Sequence, residues 1–273
     1  MGTLTIKSKE NLTAQIEPEY GGMITRLQLD GKDILRLDEG ALMTAPISAG
    51  GIPILFPCPS KTKNDCYTLD GKKYHMPLHG FVKNAAYAVK SVSENEATVW
   101  TDAGFSTRET VYPFDFRLEV QYRLEGKKLF ITADITNHSR ERMPHYLGWH
   151  PYFLATDKKK LSFCHSMQKH YDYTNCVDEK AISDIDLSKS WDDVFHQPEQ
   201  PEFTLRNEAD GYKVRVLLDD NHSVLVICSV LENCVCLEPW CGLPDSINNG
   251  RYVKWIGPGA TEEYHWAIEV DHI

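Results

Sequence analysis

The sequence predicts an all-β protein, a large antiparallel β-sandwich, and three observations carry that expectation. Apolar and polar residues alternate with period two along several segments, as strands with one buried face require. Asp-Gly and Glu-Gly dipeptides punctuate those segments, and glycine accepts the positive φ of tight hairpins. No segment carries a long apolar stripe of helical spacing with caps at its ends.

The elements follow in order. Thr3-Leu4-Thr5-Ile6-Lys7 alternates, and Asp30-Gly31 and Asp70-Gly71 mark turns downstream. The segments 116–122 (Phe-Arg-Leu-Glu-Val-Gln-Tyr) and 129–135 (Leu-Phe-Ile-Thr-Ala-Asp-Ile) alternate on either side of Glu125-Gly126, so they pair as an antiparallel hairpin. Short helical turns are expected near Ile182–Leu187. After Asp210-Gly211, the run 212–217 alternates again. The run 223–228 is continuously apolar and suits a fully buried strand. Cys234-Val235-Cys236 has a strand's alternation. With no internal repeat or linker, residues 1–273 read as one domain.

Composition narrows the function. The chain has 273 residues, 42% hydrophobic and 25% charged, with a net charge of −10. That balance supports a sizeable core and argues against nucleic acid and anionic membranes as partners. Lys158-Lys159-Lys160 reads as a solvated loop. No apolar run approaches the ~20 residues that span a bilayer. The eight cysteines follow no secretory signal and contain no Cys-x-x-Cys pair. They are expected to be reduced thiols of a cytoplasmic protein, without disulfides and without a metal.

Three polar residues stand among aromatic residues, proline and glycine rather than on a charged surface. His79 lies in Met76-Pro77-Leu78-His79-Gly80-Phe81, and His150 in Gly148-Trp149-His150-Pro151-Tyr152-Phe153. Glu238 lies in Cys236-Leu237-Glu238-Pro239-Trp240-Cys241-Gly242. Taken singly, each histidine also reads as a hydrogen-bonded core residue. A carboxylate among Leu, Pro and Trp is harder to explain structurally, because burying it unpaired is costly. Phe81, Trp149, Tyr152 and Trp240 are candidates for stacking on a sugar's apolar face. His75, His145 and His165 lack such surroundings.

These segments occur in register with others: Gly50-Gly51-Ile52-Pro53-Ile54-Leu55-Phe56-Pro57, Tyr112-Pro113-Phe114-Asp115-Phe116 and Asn137-His138-Ser139. Together they resemble the aldose 1-epimerase, or galactose mutarotase-like, superfamily across most of the chain. The resemblance implies the family's supersandwich with a sugar site in its concave face. It also implies interconversion of the α and β anomers of an aldose, with a small-molecule sugar as partner and no cofactor. Glu238 matches the general base, His150 the general acid, and His79 a histidine near the ring oxygen. The substrate-binding aspartate matches Asp192, with Asp193 the alternative. Trp240 joins the substrate-binding residues, and so does Lys83, which stands where members acting on hexose 6-phosphates carry arginine. Ala49 occupies a second such arginine place. Lysine lacks the bidentate fork, so a neutral hexose is expected over a phosphorylated one. A hexose-6-phosphate 1-epimerase and a non-catalytic carbohydrate-binding module are the alternatives. A glycoside hydrolase is disfavoured, because it needs two carboxylates flanking the bond.

Overall fold

A computed structural model describes residues 2–102 and 111–273. Strands take up 53% of it and helix 8%, so β-sheet alone organises the chain. All pairings between its strands are antiparallel. Leu4–Lys7, Leu12–Glu17, Met23–Leu29 and Lys32–Asp33 form a four-stranded sheet in sequence order. A second, 14-stranded sheet carries the rest of the framework. Its middle runs Cys234–Trp240, Val224–Cys228, Asp192–Asn207, Tyr212–Leu218, Thr261–His272, Lys128–Asn137 and Phe116–Glu125.

The hairpin expected around Glu125-Gly126 forms, with Glu125 opposite Lys128 and Phe116 opposite Asn137. Asp30-Gly31 and Asp70-Gly71 close two further hairpins, Leu29 facing Lys32 and Leu69 facing Lys72. Residues 182–187 are not helical. The described α-helices are short turns at Glu39–Leu42, Pro46–Ala49 and Ser246–Asn249, with 3-10 turns at Lys63–Asp65, Val82–Asn84 and Lys158–Lys160. No helix among the described residues is long and apolar enough to cross a membrane.

Alternation sends one set of side chains from each strand into a shared core. Ile6, Leu12, Ile16 and Leu27 of the small sheet pack in one cluster with Leu118, Val120, Leu129, Ile131, Val214, Ile227 and Leu237 of the large one. The Tyr122 hydroxyl ties the layers together by donating to the Gly22 carbonyl at 2.8 Å. The opposite face of the central strands is the one that matters for function. There Val194, Val224, Val226 and Trp240 form a smaller apolar cluster with Leu55, Tyr171 and Leu243.

Candidate active site

Cys234–Trp240 is buried along its whole length, on both faces. Val235 and Leu237 point into the main core. Residues 234, 236, 238 and 240 therefore share the other face. This explains how a glutamate comes to sit inside a run without polar relief. Its neighbour in the sheet puts Val226 opposite Glu238 and Cys228 opposite Cys236.

His150 arrives from a different segment, just after the strand Gly148–Trp149. Gly148 pairs with Trp240, and a Cβ on Gly148 would stand 2.6 Å from the Trp240 ring. Only glycine lets this strand lie against the indole. The His150 amide donates to the Pro53 carbonyl at 3.1 Å. Its ring is stacked on Tyr152, with centroids 4.4 Å apart and planes 14° from parallel. Tyr152 is fixed in turn by donating its hydroxyl to the Ile47 carbonyl at 2.6 Å. His150 Nε2 then lies 3.2 Å from Glu238 Oε1. Glu238 is 2% exposed and His150 8%.

Both groups have lost most of their water. Burial pushes the Glu238 carboxyl well above the usual carboxylate range, with Cys228 and Asp192 adding to the rise. The Trp240 indole approaches closely enough to favour the charged form, though not in hydrogen-bond geometry. Burial drives the His150 imidazole well down, and the neighbouring His79 pushes it the same way. Both shifts disfavour charge, so burial favours a protonated Glu238 beside a neutral His150. Glu238 Oε2 and His150 Nδ1 are buried without a hydrogen-bond partner.

His79 sits at the tip of a loop with φ of +61°. The Ser60 amide donates to its Nδ1 at 3.0 Å. A neutral ring in that arrangement carries its proton on Nε2. Burial, helped by the Lys83 charge, lowers its pKa to about 4, so the ring is neutral near pH 7. Its centroid is 5.5 Å from that of His150 and 6.1 Å from that of Trp240. The sequence expectation for Lys83 needs correction. Lys83 is buried, and its ammonium bonds the carbonyls of Leu78, at 2.8 Å, and Gly80. It braces the His79 loop from behind and does not line the cavity that His79 faces. Ala49 is likewise buried.

That cavity has a volume of about 570 Å³, of the size that takes small ligands. His79, His150, Asp192, Glu238 and Trp240 all line it. Of the two adjacent aspartates, Asp192 faces the cavity, while Asp193 turns away and bonds His170 Nε2 at 2.8 Å. Burial and the neighbouring Asp193 raise the Asp192 pKa, and Lys61 opposes them. Of the four aromatic residues proposed for stacking, only Trp240 lines the cavity. Trp149 packs on His222 and Trp266, Phe81 on Tyr112 and Phe116, and Tyr152 behind His150. Sequence reasoning missed Tyr171, Tyr173, Lys61 and Lys63, which complete the walls and rim. It also missed that folding gathers His150, Cys236 and Glu238 with one donor atom of each within 4.8 Å of the others.

The family description "Aldose 1-epimerase" matches residues 2–239. The chain belongs to the aldose 1-epimerase family. It is 28% identical to the chromosomal protein LacX of Lactococcus lactis subsp. lactis over 284 aligned positions, covering 92% of both chains. Among solved structures it resembles the Slr1438 protein of Synechocystis, with 26% identity, a TM-score of 0.92, and coverage of 100% of this chain and 96% of that one. A galactose 1-epimerase from Lactobacillus acidophilus shares the fold, at TM-score 0.78 and 11% identity, over 99% of this chain and 94% of that one. Family membership fixes the fold as galactose mutarotase-like and makes a sugar the class of ligand to consider in the cavity.

Proposed function

We propose that the protein is a cofactor-free aldose 1-epimerase, acting as one domain in the cytoplasm, with Glu238 as general base and His150 as general acid. The observation that carries this reading is the buried Glu238–His150 contact of 3.2 Å on the floor of a cavity open to solvent. The Glu238 carboxylate takes the proton of the C1 hydroxyl. Protonated His150 delivers one to the ring oxygen, and the bond from C1 to that oxygen breaks. The free aldehyde turns about its bond to C2 and is attacked by the released hydroxyl on either face, returning both protons. The 3.2 Å contact lets one proton pass between the two groups, so the charged pair that starts the reaction is reached from the uncharged pair that burial favours. Positioned acid–base groups of this kind contribute roughly 10²–10⁴ in rate. His79, with Nε2–H as donor, binds near the ring oxygen. Asp192 accepts from a sugar hydroxyl, and the Trp240 ring meets an apolar face. Eight free thiols suit a reducing compartment.

A neutral hexose is the preferred substrate. The rim lysines Lys61 and Lys63 are offset by Asp192 and Asp245 in the same cavity wall. A hexose 6-phosphate is the alternative that those lysines favour. The test is NMR of freshly dissolved α-glucose and α-galactose with and without protein. Accelerated anomer exchange is expected, and unchanged rates for both sugars would remove the assignment. At matched ionic strength, a kcat/KM for glucose 6-phosphate about tenfold or more above that for glucose would overturn the neutral-sugar reading.

A further inference from the structure

We infer that the floor of this cavity is also a binding site for thiophilic divalent cations, with Cys236, Glu238 and His150 as ligands and closure of the sugar site as the consequence. One nitrogen, one sulfur and one oxygen donor lie within 4.8 Å of one another. A donor set containing thiolate and imidazole selects zinc or cadmium over magnesium or calcium. Ligands about 2.0–2.3 Å from a tetrahedral zinc stand roughly 3.5 Å apart, so the triangle must contract by about 1 Å. Its His150–Glu238 edge, at 3.2 Å, is already short enough.

Two further observations point to a cation. Glu238 Oε2 is buried without a partner, and a buried carboxylate oxygen in that state gains most from a positive charge. Cys236 is also flanked by other thiols. Cys228 is its partner on the neighbouring strand, and Cys234 lies two residues away on the same face. Cys228, Glu238 and His150 line the cavity, which supplies a route from solvent. Binding is coordination without redox chemistry. The Cys236 thiol gives its proton to water, and the metal takes the lone pairs of sulfur, the imidazole nitrogen and a carboxylate oxygen. Nitrogen and oxygen so engaged cannot move a sugar's protons. The inhibitory half of this inference rests on the epimerase reading; the binding half does not.

The experiment uses the full chain, reduced and desalted, with Cys66, Cys164 and Cys176 changed to serine to remove the more accessible thiols outside the cluster. Cadmium chloride is titrated in while thiolate-to-cadmium charge-transfer absorption and glucose anomer exchange are recorded. The expected result is saturable binding with loss of exchange in step, reversed by a chelator. Cys236→Ser in the same background should keep metal-free exchange, lose the absorption band and bind cadmium at least about tenfold more weakly, since loss of even an outer-shell partner costs that much. An unchanged band and affinity in Cys236→Ser would overturn the site. Zinc-edge X-ray absorption on the parent protein decides the matter should the serine variant not fold. A shell of one sulfur with nitrogen and oxygen supports the assignment, and a shell with no sulfur or with sulfur alone overturns it. Stimulation of exchange by the metal would overturn the inhibitory half. A parent that binds cadmium through Cys236 but exchanges no anomers would fail the epimerase reading and leave the metal site standing.

Discussion

Replacing Glu238 by glutamine separates two consequences of burying a carboxylate. The amide is nearly isosteric, so the Cys234–Trp240 strand keeps its packing, but it cannot accept the anomeric proton. Anomer exchange should fall by roughly 10²–10⁴. Stability should move the other way. Glu238 is 2% exposed and its Oε2 has no partner, whereas an uncharged amide escapes most of the charge-burial penalty and can donate to His150 Nε2. Removing the charge from one buried carboxylate is worth about 1–2 kcal/mol, or about 2–6 °C in Tm for a chain of this length. The sign with pH follows from burial. Because the carboxyl's folded pKa is raised above its unfolded value, the wild type loses stability as pH rises above the ordinary carboxylate range. The advantage of Glu238→Gln should therefore widen between about pH 6 and about pH 8.5. Exchange is read by NMR and melting by circular dichroism on the same samples. Activity within tenfold of wild type would refute the role of the base. A variant that melts lower at both pH values would refute the argument that the site stores an electrostatic cost.

His150→Asn should depress exchange about as strongly as loss of the base. Because His150 acts in its protonated form, the alkaline limb of the wild-type pH–rate curve should be missing from the residual activity, and an unchanged alkaline limb would refute its role as the acid. Asp192→Asn should raise KM for the hexose by about tenfold, the worth of one charge-assisted hydrogen bond, while Asp193→Asn should leave KM near wild type, since only Asp192 faces the cavity; equal effects on KM would refute the distinction. Acid should weaken the fold. His79 is lowered to about 4, and His145, His150 and His196 are also lowered, all first by burial. Their unfolded forms protonate first, so each favours the folded state above about pH 6.5 and loses that contribution as pH falls toward the folded pKa. A urea midpoint that does not drop between about pH 7.5 and about pH 5 would contradict this.

Much of the architecture was legible because alternation and turn chemistry are local. The hairpin joining Phe116–Glu125 and Lys128–Asn137 needed only its own twenty or so residues to declare itself. The acid–base pair was legible for a different reason: Pro, Gly and Trp around a charge mark a place where packing has been arranged around a polar group. The rest depended on long-range placement. Asp192 and Asp193 cannot be told apart until the strand's core face is known, because neighbours on a strand point opposite ways. Lys83 reads as a cavity cation until the carbonyls of Leu78 and Gly80 are seen to hold it. Trp149, Tyr152 and Trp240 look alike in sequence, yet only one reaches the cavity. The long strand Asp192–Asn207 contains Pro198 and Pro201, residues that argue against a strand interior, so its continuity was hidden. Tyr171 sits in Leu161–Asp172, whose mixed pattern of exposure gives no hint of a binding wall.

The cavity's floor and its rim are made differently. Glu238, Trp240, Val226 and Asp192 are held by strands bonded on both sides, whereas Lys61, Thr62 and Thr174 come from connecting segments. Such a division makes the protein easy to diversify. Loop positions accept substitution with little penalty to the framework, so a new sugar preference can be selected at the rim while the reacting pair stays in place. A mutant library confined to Lys61, Thr62, Lys63, Tyr173 and Thr174 would sample specificity with the chemistry held constant. One that included the central strands would mostly return unfolded protein.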